Sequence, residues 1–323
     1  MHRRHSLKTL AASALAALGA GVCAAGFPER PVRLVVPFPP GGTGDAIARA
    51  VAKDLAPRLG QPVLVDNRPG GSTLLAARTV LAAPPDGYTV LLNNTSLVQQ
   101  PILRNDAGYE ALRDFTPLAA ACDVPVVLAL PAELNLATVT DCISWLRAHP
   151  GRTSYASSGL GSTAHVIGEE FKRRYGLDSV HVPYQGDAGM VVDLLANRVQ
   201  WTLGTPVLLA PLAAQGKLRL LAVTGTQRVP GLPQVPTFQQ AGIDGFDVIG
   251  WFGFFASARI PPAVAEQLGT ALAAAMQGVG YRQFLEVAMM APGSERGPQF
   301  LASVKTLDAY WRRLIAANNI RVE

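Results

Sequence analysis

Glycines and small polar residues gather in loops that precede predicted helices, and their residue types suit the binding of a small anion. Residues 39–45 contain three glycines and residues 157–163 contain two, each time directly before a helical pattern. Three shorter loops of polar and glycine residues, at 93–96, 183–186 and 204–205, have the same character. Unpaired N–H groups at a helix N-terminus and the helix dipole both favour negative charge. The five loops together predict a site for a small polar ligand.

Several of these residues also have a purely structural interpretation. Asp is among the most favourable N-cap residues, so Asp45 is predicted as a helix cap rather than as a ligand contact. Ser162 and Thr163 carry hydroxyls that suit a cap equally well, and Gly41 and Gly42 suit a tight turn. The prediction of a ligand site therefore depends on five loops of one kind, and no single loop carries it.

A nucleotide-dependent enzyme is the alternative from a different functional class. Residues 159–164 match the G-x-G-x-x-[GA] fingerprint, between a predicted strand and a predicted helix. The fingerprint also requires an acidic residue at the end of the next strand, where this chain has Pro183, Tyr184 and Gln185. The sequence therefore favours a binding protein without a cofactor over an exported nucleotide or hydroxy-acid enzyme.

Metal and hydrolase chemistry have little support in the sequence. His165 and Glu169 lie four residues apart on a predicted helix, a spacing that suits either a metal or an ordinary helical hydrogen bond. No third ligand occurs at a useful spacing, and no Ser, His and Asp can be assigned to triad roles. We expect no metal and no catalytic residue.

Alternating strands and helices position the loops. Predicted strands at 32–38, 63–65 and 88–92 alternate with helical patterns at 45–59 and 72–83, which indicates a parallel doubly wound sheet. A second unit of alternating strands and helices covers 124–223, and one of its strands is predicted at 124–130. A strand at 248–256 and helices at 261–277, 281–290 and 298–319 close the chain. The aromatic run in that strand is predicted to be core.

The order of these elements predicts the domain organisation. No Pro- or Gly-rich tether separates the two units, and the terminal helices need a sheet to cover. We expect an α/β fold with a discontinuous domain I of residues 26–126 plus 248–323, around an inserted domain II of residues 127–247. Ligands of such sheets bind at the carboxyl ends of the strands.

The first 25 residues predict export. They carry Arg3, Arg4 and Lys8 and no acid, then an apolar run too short to span a membrane, then small residues around Cys23. The pattern indicates a signal peptide and a periplasmic protein, with lipidation of Cys23 as a competing interpretation. Three of the 28 basic residues lie there, and beyond them 25 remain against 23 acids, without a basic stripe, so nucleic acid is excluded.

Export leaves two interpretations of the remaining cysteines open. Cys122 and Cys142 either form a disulfide, which an oxidising compartment permits, or are two small buried apolar side chains.

The ordered motifs of the chain resemble one family from Phe27 to Ile320: the Bug-type periplasmic receptors, which are the substrate-binding components of tripartite tricarboxylate transporters. The resemblance includes Asp45 and is carried by segments at 31–42, 66–70, 85–89, 155–159, 181–184, 216–219, 221–224 and 251–253. It implies a type II-like periplasmic binding protein fold with parallel and mixed sheets, in which two domains close on a ligand without catalysis. It also implies a monomer that hands a small carboxylate or related solute to membrane permease subunits, or presents it to a sensor.

The resemblance also implies a set of ligand-binding residues. Carried over by position, they are Gly41, Gly42, Asp45, Thr95, Ser96, Ser158, Gly159, Gly161, Ser162, Tyr184 and Thr205. The chain departs from the family at Gly204-Thr205, where relatives carry an Asp-Asn-like pair, and at Gln185, where many carry a cation. Because unpaired buried charge is costly, these departures predict a mono- or dicarboxylate, aromatic and amide-bearing acids included, rather than citrate.

Overall fold

The computed structural model describes residues 26–184 and 186–321. The predicted signal peptide with Cys23, and Gln185, lie outside the described residues. In chain order the strands are β1 (Val32–Val36), β2 (Val63–Asn67), β3 (Thr89–Asn94), β4 (Phe115–Val124), β5 (Val127–Pro131), β6 (Thr153–Ser157), β7 (Ser179–Pro183), β8 (Trp201–Gly204), β9 (Leu218–Val223), β10 (Gly250–Ser257) and β11 (Ala291–Pro292). The helices are α1 (Thr43–Leu59), α2 (Leu74–Ala82), α3 (Ser96–Leu103), α4 (Ala111–Asp114), α5 (Val139–Ala148), α6 (Thr163–Tyr175), α7 (Asp187–Leu195), α8 (Pro206–Ala214), α9 (Pro262–Ala275), α10 (Val279–Ala288) and α11 (Gly297–Ala317).

The strands form two mixed sheets, which confirms the α/β fold class. The first has the order β11-β4-β10-β3-β1-β2 and the second the order β7-β6-β8-β5-β9. β1 pairs in parallel with β2 and β3, as the sequence predicts, whereas β10 runs antiparallel between β3 and β4. In the second sheet β6 is parallel to β7 and β8, and β5 is antiparallel to β8 and β9. The carboxyl ends of β1, β2 and β3 therefore lie at one edge, and those of β6, β7 and β8 at another.

Helices bury both faces of each sheet. On the first sheet, α1, α9 and α10 cover one face through residues such as Val51, Leu55 and Leu268, all fully or almost fully buried. The opposite face is covered by α2, α3 and α11, and its apolar cluster continues into the second sheet through Phe171 and Trp201. A third cluster packs α7 and α8 on the other face of the second sheet. We call each sheet with its covering helices a lobe: the first lobe contains β1–β4, β10 and β11, and the second contains β5–β9.

The strand predicted at 124–130 is confirmed only for residues 127–130. β4 begins at Phe115 and ends at Val124, and a new strand, β5, begins at Val127 in the other sheet. Pro125 lies between them, and because proline has no N–H to donate, it is suited to end strand pairing at this point. The aromatic run at 251–255, in contrast, is buried in the core as predicted.

Candidate functional site

The loop after β1 is held together by the carboxylate of Asp45. One carboxylate oxygen of Asp45 accepts hydrogen bonds from the Gly41 N–H at 3.0 Å and from Arg49 Nε at 2.9 Å, and the other accepts from Asn67 Nδ2 at 2.9 Å. The cap residue of α1 is Gly42, so the prediction that Asp45 caps this helix is wrong. Asp45 is the third residue of α1 and fixes the loop before it.

The surroundings of Asp45 keep it ionised. The hydrogen bond from Arg49 is the largest influence and, with those from Gly41 and Asn67, lowers the pKa of this buried carboxyl to about 2. Because both of its oxygens are engaged within the protein, the side chain serves the shape of the loop.

The loop after β6 has the same construction around a different side chain. The N–H of Gly161 donates to Nδ1 of His165 over 3.0 Å, and Ser162 is the N-cap of α6, with its Oγ accepting from the N–H of His165. The cap interpretation of Ser162 is therefore confirmed. Since Nδ1 of His165 accepts, the ring is neutral with its proton on Nε2.

His165, which holds this second loop, belongs to a stack of rings. The rings of His165 and His181 lie parallel with centroids 4.0 Å apart, and His181 also stacks on Tyr155 at 4.7 Å. Burial lowers the pKa of His165, and burial together with the neighbouring His165 lowers the pKa of His181 to about 3. Both rings are therefore neutral at physiological pH.

Glu169 has partners of its own, so the predicted His165–Glu169 pair does not form. The Tyr155 hydroxyl donates to Glu169 over 2.7 Å, and Lys172 Nζ lies 2.9 Å from the same oxygen. Among the described residues, no group of three or more His, Cys, Asp or Glu side chains could hold a metal ion.

The glycines do not contribute the N–H groups that the sequence suggests. The N–H groups of Gly41 and Gly161 are occupied by Asp45 and His165, and that of Gly159 contacts Ser157 Oγ. Gly41, Gly159 and Gly161 have φ of +82°, +143° and +73°, so their role is to turn the chain. Within the described chain, the first-turn N–H groups of Thr43 and Gly44 in α1, and of Thr163 and Ala164 in α6, form no hydrogen bond.

Thr95 joins the two lobes. It is the N-cap residue of α3 in the first lobe, and its buried Oγ1 lies 3.0 Å from Oγ1 of Thr163, the first residue of α6 in the second lobe. Gln99, one turn along α3, donates from Nε2 to the same Thr163 oxygen over 3.3 Å. Two helix N-termini from opposite lobes therefore meet at one point.

The remaining predicted residues follow the strands β3, β6, β7 and β8. The Ser96 N–H donates to Asn94 Oδ1, and the Ser158 carbonyl accepts from the Gly186 N–H. Thr205 is the N-cap residue of α8. The Tyr184 hydroxyl donates to Asp193 Oδ2 over 2.6 Å and is therefore occupied within the second lobe.

Sequence reasoning missed Gln99. It considered Thr163 as a helix cap, and His165 as a metal ligand or as the partner of Glu169 in a helical hydrogen bond. Gln99 lies in α3, a helix that the sequence analysis does not predict. The signal that could have found His165 is its spacing, since Gly161 to His165 repeats the spacing of Gly41 to Asp45.

Cys122 and Cys142 are two separate buried thiols and do not form a disulfide in the structure. Cys122 and Cys142 are both free and buried, and Cys122 Sγ lies 3.7 Å from Met290 Sδ. Across the described residues, no helix is both long and apolar enough to cross a membrane.

The chain is similar to a family of transport receptors. Residues 47–320 match the family model described as the tripartite tricarboxylate transporter family receptor. A protein from Pseudomonas sp. strain P51, named for the tcbD-tcbE intergenic region, is 36% identical over 292 residues, which is 90% of this chain and 86% of that protein.

Solved structures of similar proteins have the same architecture. R. palustris Rpa4515 with adipate is 34% identical with a TM-score of 0.82, covering 91% of this chain and 99% of that one. The periplasmic binding protein BugD is 29% identical with a TM-score of 0.80, covering 92% and 100%. MatC from Rhodopseudomonas palustris with bound malate is 28% identical with a TM-score of 0.79, covering 90% and 100%. The extent of the family match, together with two mixed sheets whose loops meet between them, establishes that this chain belongs to the tripartite tricarboxylate transporter family of receptors, which are solute-binding proteins.

Proposed function

We propose that this receptor captures a small mono- or dicarboxylate between its two lobes and delivers it to the membrane permease subunits of a tripartite transporter, without chemical turnover. The observation that carries the proposal is the meeting of α3 and α6 at Thr95 and Thr163, whose hydroxyl oxygens are 3.0 Å apart. Two helix N-termini that approach each other place two positive dipole ends at one point, and an anion relieves their repulsion.

The donors of the site also suit a carboxylate. Among the described residues, the first-turn N–H groups of Thr43, Gly44, Thr163 and Ala164 form no hydrogen bond. We assign the ligand contacts to them, with the hydroxyls of Thr95, Ser96, Ser158, Ser162 and Thr205 around them. Asp45 and Tyr184 then act through the loops they hold rather than by touching the ligand. Gly41, Gly42, Gly159 and Gly161 supply the turns.

The number of carboxylates follows from the charge at the contact between the lobes. Thr95, Gln99 and Thr163 are uncharged, and a third carboxylate would lose its hydration there without a cationic partner. Adipate and malate, which are present in the structures of two relatives, each have two carboxylates, and this supports the same ligand class here.

A thermal-shift panel tests this proposal. Adipate, malate, succinate, glutamate, benzoate, nicotinate and citrate are compared, with adipamide as the uncharged control. A ligand at about 100 times its Kd stabilises the folded state by about 2.7 kcal/mol, which raises Tm by roughly 4 °C for a chain of this size. A shift from one of the mono- or dicarboxylates, absent with adipamide, supports the proposal; a shift from citrate alone contradicts it. Calorimetry followed by recovery of unchanged ligand separates a receptor from an enzyme.

The location and domain limits belong to the same proposal. We infer a monomer in the periplasm after removal of residues 1–25, with domain I at 26–126 plus 248–323 and domain II at 127–247. Intact mass of the protein from a periplasmic extract tests the removal of residues 1–25, since retention of Met1 or a lipid on Cys23 would contradict it.

A further inference from the structure

We propose that Gln99 and Thr163, together with Thr95, form a latch that sets ligand affinity by holding the lobes closed. The side chains of Gln99 and Thr163 thus position the lobes rather than touch the ligand. This inference rests on the proposed function, because closure of the lobes affects affinity only if the ligand binds between them. The latch is the group of three side chains that meet between the lobes: Thr95 and Gln99 from α3, and Thr163 from α6.

Thr163 is the centre of the latch because its hydroxyl contacts both other side chains. Its hydroxyl oxygen accepts from Gln99 Nε2 at 3.3 Å and lies 3.0 Å from Thr95 Oγ1. With one acceptor position used by Gln99, the hydroxyl proton of Thr163 is available for Thr95. One side chain of the second lobe thus binds two side chains of the first.

None of the three side chains has a competing role in its own lobe. Thr95 is the N-cap residue of α3, but its side chain makes no capping hydrogen bond, and in α6 the capping role belongs to Ser162. The hydroxyls of Thr95 and Thr163 therefore have each other as partners across the lobe boundary. Removing either hydroxyl leaves both helices capped as before.

Burial makes the latch sensitive to opening. Gln99 is fully buried, and its Oε1 has no hydrogen-bond partner among the described residues. An unpaired buried acceptor is unfavourable, whereas water satisfies it when the lobes separate. The latch therefore combines two favourable interlobe hydrogen bonds with one unsatisfied oxygen, which leaves closure reversible.

Further along α6 the lobes are joined by a different kind of contact. Asn318, the residue after α11, donates from Nδ2 to Glu170 of α6 at 2.9 Å, and the apolar cluster runs through both lobes at Phe171 and Trp311. Because that region is packed and the latch is polar, separation begins at the latch. Leu75 and Leu208 are exposed near the starts of α2 and α8, at the carboxyl-end edges of the two sheets. We expect these two residues to move apart when the latch opens.

The first experiment measures the latch without any ligand. Nitroxide labels at Leu75→Cys and Leu208→Cys, in a Cys23→Ser chain, report the interlobe distance by electron double resonance. Thr163→Val keeps the shape of the side chain and removes its hydroxyl, and we expect it to shift the population toward longer distances. Thr163→Ser restores the wild-type distribution, and Thr306→Val, on the exposed face of α11, leaves it unchanged. An identical distribution in Thr163→Val and wild type overturns the latch.

The second experiment measures affinity with adipate, malate, succinate and benzoate as probes. Thr163→Val is expected to weaken the binding of whichever probe binds wild type by about 5- to 10-fold through faster dissociation, with the association rate retained. In a double-mutant cycle, Thr95→Val and Thr163→Val are non-additive for affinity, because they remove the same interlobe bond. Additive losses contradict the latch. If none of the probes binds wild type, the proposed ligand class fails while the distance measurement still decides the latch.

Discussion

Asp45 and His165 occupy equivalent positions in the two lobes, since each accepts a 3.0 Å hydrogen bond from the N–H of the glycine four residues before it. Each is the third residue of its helix, and in each case a threonine begins the helix after an extended cap residue. The two loops therefore share one backbone construction, although one is held by an anion and the other by a neutral ring. In both loops of the described chain, the first two N–H groups of the helix that follows form no hydrogen bond.

The first prediction concerns Asp45, the anion of this pair. Asp45→Asn removes the charge that pairs with Arg49, and a carboxyl whose pKa falls from 3.8 to about 2 on folding stabilises the protein by about 2 kcal/mol above its unfolded pKa. We expect the variant to unfold at lower urea concentration at pH 7. The difference from wild type shrinks as the pH falls from 4 toward 2, because protonation then removes the same charge from Asp45.

A matched control separates this effect from a general change in charge. Asp106→Asn neutralises an exposed carboxyl paired with Arg104, and we expect its unfolding midpoint to stay close to wild type. A difference between Asp45→Asn and wild type that is the same at pH 7 and pH 2.5 would contradict the role of the ionised carboxylate.

The second prediction concerns His181, the half-buried ring that stacks on His165. Burial and the adjacent His165 and Lys172 lower its pKa from 6.5 to about 3. In the unfolded chain His181 is protonated near pH 6.5, whereas in the folded chain it stays neutral down to about pH 3. The free energy of unfolding therefore decreases as the pH falls from 6.5 toward 3. One such group contributes a slope of at most about 1.4 kcal/mol per pH unit.

His181→Phe keeps a ring in the stack and removes the titration. We expect a shallower pH dependence of stability between pH 6 and 4, measured by urea unfolding, with the remaining slope due to His165 and the acids. The groups that face the stack are Tyr155, Glu169 and Lys172, and all three are retained. Ser157→Ala, which removes the 2.7 Å partner of His181 Nε2, keeps both histidines and should keep the wild-type slope. Equal slopes in His181→Phe and wild type would exclude this source of acid sensitivity.

The sequence predicts the two α/β units and the loop positions because both depend on local patterns. Strand β1, its glycine loop and helix α1 are signalled by a buried run, a breaker and apolar residues at helical spacing. The contact between Thr95 and Thr163 is different, since it depends on how two lobes pack, and no local pattern encodes it. The sequence predicts the positions of the glycine loops but assigns their N–H groups to the ligand, because no local pattern shows that the Gly41 and Gly161 N–H groups bond to Asp45 and His165.

The third prediction compares two glycines in helices. A Cβ on Gly168 of α6 would lie 2.4 Å from Tyr155 Cε2, and Tyr155 is fully buried between His181 and Trp201. Gly168→Ala is therefore expected to lower stability by about 1–3 kcal/mol. Gly280 of α10 has open space around its Cα, so Gly280→Ala should raise stability by about 0.5–1 kcal/mol through helix propensity and chain entropy. Thermal denaturation of both variants decides the point, and destabilisation of equal size would show that the ring contact is not the cause.

The fourth prediction concerns the two buried thiols. Burial raises the pKa of Cys122 and of Cys142 to about 12, and the thiolate is the reactive form. In a Cys23→Ser chain, we expect no alkylation by iodoacetamide at pH 8 in buffer and two additions per molecule in 8 M urea, measured by intact mass. Oxidised protein that accepts no label in urea would instead indicate a disulfide.

The last prediction concerns the motion of the lobes. Val126 lies between β4 and β5, where the chain passes from the first lobe to the second. Two hydrogen bonds join it to Thr224 at the end of β9: the Val126 N–H donates to Thr224 Oγ1, and the Thr224 N–H donates to the Val126 carbonyl. Because these bonds anchor the crossing segment to the second sheet, we expect rigid lobes that rotate about this point. Small-angle scattering should give a smaller radius of gyration with saturating adipate or malate, whichever binds, than without it. Thr224→Val removes one of the two hydrogen bonds and should widen the ligand-free distribution of interlobe distances, whereas Thr306→Val should not. A radius that does not change on saturation would contradict closure by hinge rotation, because closing the lobes around a ligand necessarily makes the molecule more compact.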